Sequence, residues 1–123
     1  NNPGMKRFCF ALDLVDDPDL IAEYEHWHRP GNAWPENIEG IRNSGITNME
    51  IYRTGNRLFM IMDTTDDFSF EKKAGLDSAN PGLQDWEKLM GKFQRPLPWA
   101  GEGEKWLKMD AIFELRDHPA KTV

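Results

Sequence analysis

Residues 46–64 read ITNMEIYRTGNRLFMIMDT. Two runs of alternating character, Ile46 to Arg53 and Arg57 to Thr64, are joined by Thr54-Gly55-Asn56. A short Gly-containing connection between two alternating runs predicts a β-hairpin. Upstream, Phe8, Phe10, Leu12 and Leu14 recur at period two, which sets them on one face of a strand from Arg7 to Leu14 with Cys9 and Ala11 on the other. Asp17-Pro18 then starts a helix: Asp17 can cap free amides and Pro18 suits the first turn. That helix is expected to run to about His28, before Arg29-Pro30-Gly31, with a second short helix from about Ala33 to Asn43 closing at Ser44-Gly45.

Downstream of the hairpin, Phe68 to Asn80 reads as helical in part. Leu83, Trp86, Leu89, Met90 and Phe93 follow at helical spacing until Pro96-Leu97-Pro98. Leu107, Met109, Ala111, Phe113 and Leu115 alternate again, so Trp106 to Leu115 is expected to be the last strand. The order strand, helix, helix, strand, strand, helix, helix, strand is the split βαβ pattern of an α+β, ferredoxin-like domain. Its antiparallel sheet carries helices on one face only. A homodimer that stacks two such sheets would cover the other and form a dimeric α/β barrel.

At 123 residues the chain fits one domain, expected over residues 5–116. Residues 1–4, Asn-Asn-Pro-Gly, look like an expression scar, and 117–123 read as a tail. A net charge of −6 with no Lys/Arg cluster argues against nucleic acid. No stretch approaches a membrane span, and a single cysteine, Cys9, with no secretion signal points to the cytoplasm.

The chemistry concentrates in AEYEHWHRPGNAWPE, residues 22–36. Tyr24 and His28 are four apart, so both lie on one stripe of the first helix and can address one ligand. Trp34 and Glu36 follow closely enough to fold back over His28. A neutral-range acid/base, a phenol, a carboxylate and flat apolar rings suit a sugar, whose C–H faces pack on tryptophan. The same Tyr/His pair is also what a packed or capping pair looks like, and Trp86 in its helical stripe is also what a core residue looks like. His26 and His28, two apart, point to different sides and argue against a joint metal site. Asp66-Asp67 reads as a solvated turn or cap and Cys9 as an inert core-edge thiol.

Glu23-Tyr24-x-x-x-His28, then Trp34-Pro35-Glu36, a Ser44-Gly45 turn, an Ile51-Tyr52 strand and a helix with Trp86 and Met90 together resemble the L-rhamnose mutarotase family. The resemblance runs from about Met5 to Leu115. It implies a dimeric, cofactor-independent isomerase that interconverts the α and β anomers of a 6-deoxy-L-sugar, with no metal. It also implies His28 as acid/base, with Tyr24 and Trp86 lining the sugar pocket; Trp34, Glu36, Tyr52 and Glu87 are expected around the sugar as well. The chain departs from the family pattern at three places. It inserts Arg29-Pro30-Gly31-Asn32-Ala33 before the Trp-Pro-Glu, has Met49 where the family has a pocket tyrosine, and has Trp86-Glu87 for a tandem tryptophan pair. These departures leave L-fucose and L-rhamnose level as expected substrates. Two other classes share the residue pattern: an oxygenase on the same barrel fold, and a non-catalytic small-molecule binding module.

Overall fold

The computed structural model describes residues 5–121. Strand β1 (Met5–Leu14) and strand β3 (Arg57–Thr65) pair antiparallel over their length, with Phe10 opposite Met60 and Leu12 opposite Leu58. Strand β2 (Ile46–Thr54) joins β3 through Gly55-Asn56; a positive φ of 57° at Gly55, with no positive φ at Asn56, is the sign pattern of a type II′ turn. The predicted hairpin is therefore present.

Helix α1 (Pro18–Trp27) begins as the sequence predicts: the Asp17 carboxylate accepts from the amides of Asp19 at 2.9 Å and Leu20 at 3.1 Å. Helix α2 (Pro35–Asn43) ends before Gly45, whose φ of 95° only glycine adopts without strain. Helices α3 (Phe70–Ser78) and α4 (Pro81–Gly91) follow, capped by Ser69 and Asn80. Helices α2 and α4 touch closely: a Cβ at Gly82 would meet Glu36 Cγ at 2.6 Å. A side chain there would push the α4 helix, and Trp86 with it, away from its neighbour.

The last expected strand is corrected. Two short strands take its place on the free edge of β1: β4 (Gln94–Arg95), opposite Leu14 and Asp13, and β5 (Leu107–Met109), opposite Ala11 to Cys9. The chain leaves the edge at Pro96, which cannot donate to a ladder, and returns after a loop anchored by buried Leu97. Asp110 to Glu114 lies off the sheet, with Ile112 97% and Phe113 65% exposed, so alternation there is not matched by burial. A single 3-10 turn, Leu115–Asp117, follows. The sheet order β2-β3-β1-β4 is that of a ferredoxin-like α+β domain. The expectation for residues 1–4 falls outside the described residues.

Two apolar clusters fill the layer between sheet and helices. One gathers Leu14, Tyr24, Leu58, Leu83, Trp86, Met90 and Phe93, and the other Phe10, Ile46, Met60, Met62 and Phe68. Among the described residues no helix covers the opposite face of the sheet. It carries two cross-strand ion pairs, Arg57–Asp13 and Arg7–Asp63, each with a contact of 2.7 Å. Half-buried Cys9, Ala11, Phe59 and Ile61 lie between them.

Candidate active site

A cavity of about 840 Å³ opens between the two clusters, roofed by helices and floored by Phe10, Met60, Met62, Met49 and Ile51 of the sheet. A cavity this size, mostly apolar with a few polar groups, is the form that small-molecule sites take. Tyr24 lies in its wall because α1 turns its Leu20, Ile21 and Tyr24 stripe to the core. One turn on, His28 caps the helix and lines the same cavity.

The two rings lie 4.3 Å apart, centroid to centroid, at 33°. His28 Nδ1 sits 2.7 Å from the carbonyl oxygen of Tyr24. A carbonyl can only accept, so Nδ1 carries the proton and donates it. In the neutral ring Nε2 is then left with its lone pair. The surrounding protein disfavours the charged imidazolium and lowers the His28 pKa, an effect that the Tyr24 carbonyl partly opposes. His28 nonetheless keeps accessible surface, since it borders the open cavity. A neutral histidine with one free nitrogen is a ready proton acceptor at neutral pH.

Tyr24 is 3% exposed, and burial pushes its phenol up to about 12, with the Gln94 side chain beside it acting in the other direction. It remains a protonated O–H donor at neutral pH. Trp86, also buried, meets the edge of His28 at 5.7 Å and lines the cavity with Glu87. Trp34 stands behind it, 5.5 Å from Trp86 at 65°, and Trp27 closes a third side at 6.5 Å.

Of the residues singled out in the sequence, Tyr24, His28, Trp86 and Glu87 come together around the cavity. Trp34 supports Trp86 without lining it. Glu36 is exposed on the first turn of α2 against Gly82, outside the cavity. Tyr52 is on the helix-free face, 54% exposed, with its hydroxyl donating to Glu50 Oε1 at 2.5 Å. The reason is a bulge: Ile46 pairs with Thr64 but Asn48 pairs with Asp63, so Thr47 is an extra residue and the alternation changes side there. Gln94, Lys73, Asp77 and Lys105 also line the cavity and were not picked out from the sequence. Only contact across distant segments brings them there, although Gln94 sits one residue after Phe93 at the end of the α4 pattern. Among the described residues no three of His, Cys, Asp and Glu cluster to hold a metal ion.

Comparison with known proteins fits this geometry. The family model described as L-rhamnose mutarotase matches residues 7–115. The chain belongs to the L-rhamnose mutarotase family. A family relative described as L-fucose mutarotase, from Xanthomonas campestris pv. campestris, is 45% identical over 93% of this chain and 91% of its own length. A protein of Dictyostelium discoideum described as a UPF0734 protein is 37% identical over 89% of this chain and 90% of its own. The crystal structure of an L-rhamnose mutarotase from Formosa agariphila superposes with a TM-score of 0.64 at 17% identity, over 89% of this chain and 97% of that one. A tetracenomycin F2 cyclase from Streptomyces glaucescens shares the fold with a TM-score of 0.55 at 15% identity, over 89% and 95%. At such identities the solved structures speak to the fold, and the family assignment rests on sequence. Within the L-rhamnose mutarotase family this fold thus comes with a mutarotase activity, an isomerase kind of reaction.

Proposed function

We propose that this protein accelerates interconversion of the α and β anomers of a free 6-deoxy-L-hexose, with L-fucose preferred over L-rhamnose. The observation that carries the mechanism is His28, tied through Nδ1 to the Tyr24 carbonyl and so left with Nε2 as a free base beside the cavity. The 45% identity to an L-fucose mutarotase favours fucose. So do the departures at Met49 and Glu87, which remove aromatic surface from the ring site and add a carboxylate.

His28 Nε2 takes the proton of the anomeric hydroxyl. Its electron pair becomes the second bond of C1=O1, while the C1–O5 bond breaks and O5 takes a proton from the Tyr24 hydroxyl or from a water that Tyr24 holds. The open aldehyde turns about C1–C2, and O5 then attacks the other face as the protons return. No net charge is left on the sugar. Trp86, wedged between His28, Trp27 and Trp34, supplies a rigid flat wall for the ring.

Two copies pairing through their helix-free faces would give the dimeric α/β barrel. The apolar strip between the two ion pairs and the exposed Ile112, Phe113 and Leu115 support that pairing. Analytical ultracentrifugation at micromolar protein is expected to find a dimer; a monomer would remove it.

Saturation-transfer NMR tests the activity itself. Irradiating one anomeric proton of equilibrated L-fucose is expected to attenuate the other anomer's signal when protein is added, and L-rhamnose is expected to respond less. Equal, unenhanced exchange for both sugars would leave a binding module as the reading to pursue.

A further inference from the structure

Helix α3 turns a charged pair, and not its Leu76, to the cavity. None of its residues is fully buried, Phe70 and Leu76 are 44% and 52% exposed, and only Lys73 and Asp77 are half-buried. Those two are an ion pair one turn apart, and both line the cavity. A helix that packed for stability would turn Leu76 inward and leave its charges to water. The order of the pair is also unhelpful, with the cation toward the N-terminus and the anion toward the C-terminus, against the helix dipole. A half-desolvated pair contributes little net stability in any case. Packing and helix electrostatics therefore do not account for it.

Its placement is nevertheless well secured. The Asp77 carbonyl accepts from Gln84 Nε2 at 2.8 Å and from the Asn80 amide at 3.1 Å, which fastens the end of α3 to α4, the helix of Trp86. Lys73 and Asp77 border the cavity with Phe70, which packs on Phe8, Phe10 and Phe68. His28 borders the same cavity against Trp86 of α4. The pair and His28 thus line one cavity, each beside the α4 helix.

We propose that Lys73 and Asp77 are the specificity-determining residues that read two neighbouring hydroxyls of the sugar, on the part of the ring away from the anomeric carbon. The proposal rests on the mutarotase reading. Paired, the two side chains retain two N–H donors on Lys73 and a free carboxylate oxygen on Asp77, which matches an acceptor and a donor on adjacent ring carbons. Their charges cancel, so the pair suits a neutral polyol rather than a sugar phosphate.

The test is the double exchange K73D/D77K, which keeps an ion pair and reverses it into the order the helix dipole favours. If the pair is only structural, this variant stays folded and keeps its KM. The proposal expects unchanged far-UV circular dichroism, a KM for L-fucose raised about tenfold or more, and kcat within about threefold, because charge-assisted bonds to the ring are lost away from the reacting atoms. Lys73→Arg, which keeps both charge and donors, is expected to recover most of the affinity. A swapped variant with wild-type KM overturns the proposal. Tryptophan fluorescence titration with L-fucose separates this from failure of the activity itself. A wild type that binds without accelerating exchange, and a swap that weakens that binding, would remove the mutarotase reading and keep the hydroxyl-reading pair. A wild type that neither binds L-fucose nor accelerates its exchange overturns both.

Discussion

The chain has two tyrosines, and they stand on opposite faces of one sheet. Tyr24 is packed at 3% exposure on the helix side, against Phe93 and His28, with its phenol pushed up to about 12. Tyr52 is 54% exposed on the bare side and bonded to Glu50, which raises its pKa first through the hydrogen bond and then through charge, with burial the least of the causes. Both shifts go up, yet for different reasons. In Tyr24 burial keeps the proton on; in Tyr52 a neighbouring carboxylate accepts its hydrogen bond. The direction of the shift alone does not separate a phenol in the cavity wall from one paired on the surface; its cause does.

The strongest way to break that contrast is at the base beside Tyr24. His28→Ala is expected to cost about 10² to 10⁴ in kcat for anomer exchange, with the fold intact, since a general base contributes on that scale. Exchange NMR on the variant checks it, and near-full activity would take His28 out of the mechanism. Deleting Thr47 attacks the geometry that separates the faces. The two-residue turn holds Asn48 to Thr54 in register, so without the extra residue Ile46 leaves the helix side, and losing this buried side chain from the core should cost about 2 kcal/mol in urea unfolding. A wild-type midpoint would mean that the neighbouring loop restores the register.

The two tyrosines give the next comparison directly. Tyr24→Phe is expected to lower kcat about tenfold or more through loss of the proton donor, whereas Tyr52→Phe should change it less than about twofold. Equal effects would erase the distinction drawn between burial and surface hydrogen bonding. The pH profile makes the finest cut. A base at His28 acts when neutral, and its folded pKa lies below the ordinary 6.5, so the acid limb of kcat/KM should have its midpoint below pH 6.5. The buried Tyr24 phenol, near 12, adds no alkaline limb in the neutral range. An acid limb centred above 6.5 would contradict the desolvated base.

Local chemistry made much of this legible in the residues alone. The Asp17 cap, the Gly55-Asn56 turn and the period-two apolar runs of β1 and β3 act over a few residues, so the sheet, its helices and the Tyr24–His28 stripe could be read without the fold. Helical geometry by itself sets residues four apart on one side. The end of the chain was not legible in this way: Ile112, Phe113 and Leu115 alternate like a strand, yet pairing stops at Met109 opposite Cys9 although β1 runs on to Met5, and their side chains stay exposed.

What the sequence by itself determined is the element order as far as the end of α4, the ferredoxin-like topology and the histidine with its neighbouring phenol, all consequences of short-range periodicity and capping. Only the tertiary structure decided which side Tyr52 faces, that Glu36 packs on Gly82 instead of reaching the cavity, and that Lys73 and Asp77 of α3 face the cavity while Leu76 stays exposed. A one-residue bulge, a close helix crossing and the rotation of one helix are each settled by contacts between segments distant in the chain, and no local pattern records them.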